Sequence, residues 1–245
     1  MTTNYDPIAE QYKRSKQQPW RAHVESFNFM KLIGNPRGKA VIDIACGEGF
    51  YTRMLRRRGA SKVTGVDLSE KMIALARAAE LEERLVIDYL VADARDLKLG
   101  IKYDLAVAAY LLNYARDRDE LAAMCRAVAT CLKPHGRFVT VNSSPRCDFS
   151  SAPSYRKYGF RTAVVGEFRE GAPITWTFYL DDGQFHIENY FFGIETHENA
   201  LRAAGFREIH WHRPALSPEG EAAYGSEYWL DLLDQSPIIL LECIL

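Results

Sequence analysis

The stretch Ala40-Val41-Ile42-Asp43-Ile44-Ala45-Cys46-Gly47-Glu48-Gly49-Phe50-Tyr51-Thr52 constrains the fold more than any other. A short apolar run enters a turn bearing Gly47 and Gly49, and a helical pattern follows. Without Cβ atoms the two glycines let the backbone take dihedrals closed to other residues and approach a ligand closely. Asp43 sets a carboxylate at the carboxyl end of the strand, where a positively charged ligand group suits it. Such a strand, turn and helix build a nucleotide-shaped site in α/β proteins. A nicotinamide-binding chain would carry G-x-G-x-x-G; here the third glycine position holds Thr52, which counts against a dehydrogenase.

The next predicted strand, 62–66, ends in Asp67-Leu68-Ser69. An acid at the end of the second strand can accept both hydroxyls of an unphosphorylated ribose. A third acid, Asp93, follows in Leu90-Val91-Ala92-Asp93-Ala94. In content, order and spacing, D-x-A-C-G-x-G, V-D-L-S and V-A-D-A resemble the class I S-adenosylmethionine-dependent methyltransferases over roughly residues 38–143. That resemblance implies S-adenosylmethionine as cofactor and S-adenosylhomocysteine as product. It implies that Asp43, Ala45, Cys46, Gly47 and Gly49 hold the methionine part, and that Asp67 with Leu68 holds the ribose. Asp93 with Ala94 would meet the adenine amino edge, Met72 would pack on the adenine, and Tyr110 completes the set. Ala45 stands where the family commonly has glycine, and a small residue keeps the turn feasible. Taken singly, Asp67 reads as a helix cap and the glycines as a tight turn; three motifs in register favour the site.

At 245 residues and 47% hydrophobic content the chain can bury a core without disulfides or metal. The net charge of -1 implies no broad electropositive field, so neither nucleic acid nor an anionic membrane is an expected partner. Arg56-Arg57-Arg58, just before Gly59, reads as a solvated helix end. Cys46, Cys125, Cys131, Cys147 and Cys243 form no C-x-x-C pair and have no histidine at ligand spacing, so no metal site is expected and a reduced, cytoplasmic setting fits. Cys46 reads as a small turn residue rather than a nucleophile. No leader pattern is evident, and no run approaches the roughly 20 apolar residues of a membrane span.

Strands and helices alternate, which predicts an α/β, doubly wound (Rossmann-like) sheet covered on both faces. The resembled family makes it seven-stranded and mostly parallel, with an antiparallel edge. One domain is expected over 1–245: a helical cap over 1–37, a cofactor-binding core over 38–143, a lid and inserted β-hairpin over 144–195, and a last helix with edge strands over 196–245. The hairpin, 174–180 and 185–192, turns at Asp181-Asp182-Gly183. Expected helix caps are Asp6, Ser69, Thr196 and a capping box of Asp117 with Glu120.

The substrate signal is aromatic. Tyr5, Tyr12, Trp20, Tyr110, Tyr114, Tyr155, Trp176, Tyr179, Tyr190 and Tyr228 lie in segments that reach the carboxyl edge of the sheet, and flat walls with hydroxyl handles suit a planar heterocycle. Tyr12, Trp20 and Asn113 rank highest as substrate-positioning residues. The loop 108–114 lacks the [DN]-P-P-[YFW] motif of nucleic-acid N-methyltransferases, and no oxygen-ligand set for a divalent ion stands near strands four and five. No histidine has a pattern that marks it as a base. The segments 5–21 and 175–192 resemble a branch of azapteridine N-methyltransferases of bacterial secondary metabolism, which implies a demethylated, toxoflavin-type pyrimidotriazinedione as substrate and one or two methyl transfers. The alternatives are an O- or N-methyltransferase of another small aromatic metabolite, and a non-catalytic cofactor-binding module. Nothing in the sequence points to an obligate protein partner.

Overall fold

A computed structural model describes residues 4–245. The chain opens with a 3-10 turn over Asp6–Ile8, α1 (Ala9–Ser15), a π-helical turn over Arg21–Ser26 and α2 (Phe27–Ile33). Then β1 (Ala40–Ile44), α3 (Phe50–Arg57), β2 (Lys62–Asp67), α4 (Glu70–Glu83), β3 (Asp88–Val91), β4 (Tyr103–Ala109), α5 (Arg118–Cys131) and β5 (Leu132–Ser143) alternate. After them come β6 (Phe160–Val164), β7 (Pro173–Leu180), β8 (Gly183–Tyr190), α6 (Ile194–Ala203), β9 (Glu208–His212), α7 (Pro218–Tyr224), α8 (Leu230–Asp234) and β10 (Ile238–Ile244).

The main sheet has seven strands in the order β3-β2-β1-β4-β5-β10-β9. Strands β1 to β5 pair in parallel, and β10 runs antiparallel to β5 and β9. Both faces of the central strands are covered: Val41, Leu105 and Val139 enter one apolar core, Ile42, Ala106 and Phe138 the other. Continuous apolar runs are what two covered faces require. Chain direction away from β1 reverses between β2 and β4, and the crevice at such a switch point is where ligands bind in open α/β sheets.

The expected inserted hairpin is present as β7 and β8, and a third strand, β6, extends it into the sheet β6-β7-β8. Its extra strand, β6, pairs with β7 from Phe160↔Phe178 to Val164↔Ile174. A stacked ladder runs across the inner face: Phe160–Trp176 at 5.4 Å, Trp176–Phe178 at 6.2 Å and Phe178–Phe185 at 5.1 Å between ring centroids. Aromatic pairs add about 0.5–1.5 kcal/mol each beyond burial, so three of them hold the insertion as firmly as several ordinary core contacts. The ladder docks on the amino-terminal helices, with Trp20 4.8 Å from Phe160 and Tyr12 6.4 Å from Phe185.

Ser69 caps α4 by accepting from the Met72 N–H at 3.1 Å, as expected. Asp117 caps α5 through the Glu120 N–H at 2.8 Å, but Glu120 does not reciprocate, because its carboxylate is taken by Arg95 and Arg116. Two expected caps are displaced. Asp6 sits inside its 3-10 turn and accepts from Ser69 Oγ at 2.5 Å, while Thr196 lies within α6 and donates to Glu170 at 2.9 Å. Arg56 donates to the carbonyls of Leu85 and Ser61, and Arg57 pairs with Glu83, so this basic run ties a helix end to its surroundings.

Candidate functional site

A cavity of about 330 Å³ lies over the carboxyl ends of β1, β2 and β4, covered from above by Asn4, Tyr5, Asp6 and Tyr12. A second cavity of about 20 Å³ shares Tyr12, Ala45, Gly47 and Ala109 with it and adds Lys16, Asp43 and Glu48. The main chain is bent where the two meet. Ala45, Gly47 and Gly49 have φ of 60°, 57° and 81°. A Cβ on Gly47 would meet nothing within 4 Å, so this residue presents open backbone to the cavity. A Cβ on Gly49 would lie 2.4 Å from the Tyr89 hydroxyl, so glycine there is demanded by packing as well as by dihedral. Tyr110, just past β4, also has a positive φ, of 68°, and its N–H donates to Val141 O at 2.7 Å. Left-handed backbone at a non-glycine residue costs about 1–3 kcal/mol and clusters at functional sites; Ala45 and Tyr110 follow neighbouring strands onto one cavity.

The acids differ in state. Asp67 accepts from Gly47 N–H at 2.8 Å and Ser69 N–H at 2.9 Å, and burial raises its pKa against these donors. Asp43 is 1% exposed and accepts from Thr52 Oγ1 at 2.6 Å; burial pushes it up to about 7. At the far end, the Arg95 guanidinium binds both oxygens of Asp93 and holds its pKa below the ordinary range. Hydrogen bonds from Arg116 bring Glu120 down to about 2, with Arg95 on its other side at 2.8 Å.

The opposite end is aromatic. Tyr5 packs edge-on against Tyr12 at 5.1 Å and Tyr114 at 5.9 Å, and the Tyr5 and Tyr114 hydroxyls are hydrogen-bonded. Burial raises the pKa of both phenols, so at neutral pH they are hydrogen-bond donors, not bases. Among the described residues, no histidine lines either cavity. Behind the tyrosines Glu25, 1% exposed, accepts from Tyr51 at 2.7 Å and Tyr110 at 2.5 Å and pairs with Arg21 at 2.5 Å. Lys16, on the small cavity, is 3.7 Å from the same carboxylate.

Of the residues singled out in the sequence, Ala45, Gly47, Asp67, Leu68, Met72, Asp93, Ala94 and Tyr110 line the larger cavity, and Asp43 and Cys46 the smaller. Burial pushes the Cys46 thiol well up, against a nucleophilic role. Tyr12 lines both cavities. Gly49, Trp20 and Asn113 line neither. Trp20 is 1% exposed, with its indole N–H on Gln18 at 3.0 Å and its ring in the seam with the inserted sheet. Asn113 is buried behind Tyr114, its Oδ1 facing the Ser143 N–H at 3.5 Å. Trp176, Tyr179, Tyr155, Tyr190 and Tyr228 also stand away from the cavities. Lys16, Arg21, Glu25 and Arg95 were missed; the i,i+4 spacing of Arg21 and Glu25 was the one available signal for that pair.

Residues 41–136 match the profile of a methyltransferase domain family. The chain is 37% identical over 113 residues to a ubiquinone biosynthesis O-methyltransferase of Stutzerimonas stutzeri, a match covering 44% of this chain and 47% of that protein. It therefore spans about half the length of that relative. It is 24% identical over 173 residues to N-demethylindolmycin N-methyltransferase of Streptomyces griseus, covering 69% of this chain and 70% of the other. In structure it resembles an S-adenosylmethionine-dependent methyltransferase from Mesorhizobium loti, with a TM-score of 0.66, 25% identity, and coverage of 94% and 100%.

Proposed function

From the class I S-adenosylmethionine-dependent methyltransferase scaffold that this chain carries, with S-adenosylmethionine as its cofactor, we propose direct methyl transfer to a nitrogen of a small planar heterocycle, a demethylated toxoflavin-type azapteridine. The observation that carries this reading is a single cavity with carboxylates at one end and protonated tyrosines at the other. Its volume of about 330 Å³ suits a cofactor-sized ligand. Asp67 keeps accepting capacity for ribose hydroxyls beside the open backbone of Gly47. In the small cavity, Lys16 would hold the cofactor's α-carboxylate, and Asp43, with Glu48 that also pairs with Arg53 at 2.8 Å, would hold its α-ammonium. Asp93 and Ala94 would hold the purine edge, and Met72 would pack against its face.

Bound there, the cofactor supplies a methyl group on a sulfonium, which leaves as a neutral thioether. The chain's own task is geometric. Tyr5, Tyr12, Tyr110 and Tyr114 form flat walls that exclude water and hold the acceptor ring in line. Holding two reactants in attack geometry lowers a barrier by about 7–11 kcal/mol. An alcohol would need a base near the tyrosines, whereas a ring nitrogen of an acidic heterocycle attacks with its own lone pair as the anion or tautomer, its proton having left to solvent before the ring is enclosed. Agreement over more of the chain with the indolmycin N-methyltransferase than with the ubiquinone O-methyltransferases also favours nitrogen.

The test is incubation with S-adenosylmethionine and demethylated azapteridines, read by mass spectrometry. Products heavier by one or two methyl groups are expected. If S-adenosylhomocysteine binds but only catechol-type acceptors gain methyl groups, the N-methyl reading is wrong and the O-methyl alternative stands.

A further inference from the structure

A fully buried ion pair needs a reason, because removing two charges from water costs several kcal/mol per ion and well-packed apolar residues often serve stability as well. Arg21 and Glu25 are 3% and 1% exposed. They stand on a π-helical turn, a distortion frequent at functional sites. Their contacts converge on the cavity walls. Glu25 accepts from Tyr110, a wall of the larger cavity, and from Tyr51, a wall of the smaller. The Arg21 guanidinium lies 5.5 Å from the Tyr110 ring, 5.7 Å from the Tyr12 ring and 5.3 Å from the Phe178 ring of the inserted sheet. One carboxylate thus joins the residue after β4, the helix after the glycine turn and the amino-terminal segment.

We propose that Glu25, paired with Arg21, is the positioning residue of the transfer site, fixing Tyr110 and Tyr51 so that the Tyr110 ring rather than its hydroxyl faces the reacting end. This rests on the methyl-transfer reading. Tyr110 cannot settle alone, because its φ of 68° is uphill for a side chain of its size and only tertiary contacts hold it there. Its hydroxyl supplies one such contact and is thereby turned from the substrate. The group is not a proton relay. Burial alone would raise Glu25, but Arg21, Lys16 and the two hydroxyls outweigh it and keep it ionised. Burial and that carboxylate push both tyrosines well up. Other ionisable groups facing the cluster are Tyr12 and, through Lys16, Asp43.

The experiment compares Tyr110→Phe, Tyr51→Phe and Glu25→Gln in the full chain, with Arg21→Met/Glu25→Met should the single charge removal fail to fold. At saturating substrate, Tyr110→Phe and Glu25→Gln are expected to lower kcat at least tenfold. S-adenosylhomocysteine affinity should shift less than threefold in Tyr110→Phe, and the pH-rate profile should keep its shape. Hydrogen exchange, which needs no turnover, should quicken in both 45–52 and 110–114 when Glu25 or the pair is replaced. A kcat within twofold of the parent, a changed pH profile, or unchanged exchange in both segments overturns the proposal. A parent protein that binds S-adenosylhomocysteine, shows the exchange effect and methylates nothing would fault the methyl-transfer reading instead.

Discussion

Asp43 shows how one residue can trade stability for a site. Its carboxyl is buried with Thr52 as its hydrogen-bond donor, and burial lifts its pKa to about 7. Because the folded pKa is above the unfolded one, the folded state holds the proton longer, and stability is lost as pH rises from the ordinary carboxylate range to about 7. Asp43→Asn is therefore expected to melt higher than the parent at pH 8 and close to it at about pH 4, while binding S-adenosylhomocysteine more weakly; scanning calorimetry and titration calorimetry read the two effects. Asp67 offers a cleaner loss. Its carboxylate orders Gly47 and Ser69 and faces the cavity, so Asp67→Ala should weaken S-adenosylhomocysteine binding at least tenfold. An unchanged affinity overturns the proposed ribose contact. Both acids were legible in the sequence because a strand end dictates where its last side chain goes. Lys16 and Glu25 were not, since a charge in a helical segment reads as solvated until the fold buries it.

Among elements, the turn into α3 and the inserted sheet behave differently. Gly49→Ala places a Cβ at a φ of 81° and 2.4 Å from the Tyr89 hydroxyl, so it should destabilise by at least about 1 kcal/mol, the lower end of what left-handed backbone costs a non-glycine residue, measured by urea denaturation. Trp20 belongs to the seam between the amino-terminal helices and the insertion, with the Arg21 guanidinium 4.5 Å from its ring. Truncating a buried tryptophan costs about 3–5 kcal/mol, and Trp20→Ala is expected to fail by unfolding. A folded Trp20→Ala protein of parental stability that has lost turnover would return Trp20 to the substrate. The sequence pattern could not make this distinction, because an aromatic side chain has the same signature in a core seam and in a pocket wall. β6 escaped for a related reason: Phe160–Val164 is a short edge strand after a Ser- and Pro-rich segment, and only pairing with β7 defines it.

For the whole molecule, a ligand that binds the folded state alone stabilises it by mass action, about 2.7 kcal/mol at a hundredfold excess over Kd. S-adenosylhomocysteine should raise the melting temperature accordingly and NADH should not; the reverse would refute the cofactor assignment. Strand alternation, the acids at three strand ends and the glycine turn were determined by the sequence alone. Each depends on periodicity and on backbone chemistry acting within a few residues. Tertiary structure decided which aromatics face the cavity, that Trp20 and Asn113 lie behind it, and that Arg21 and Glu25 are buried together. These are contacts between segments distant in the chain, such as Glu25 with Tyr110 and Tyr12 with Phe185, and their burial exists only once the sheet, the helical cap and the insertion close on one another.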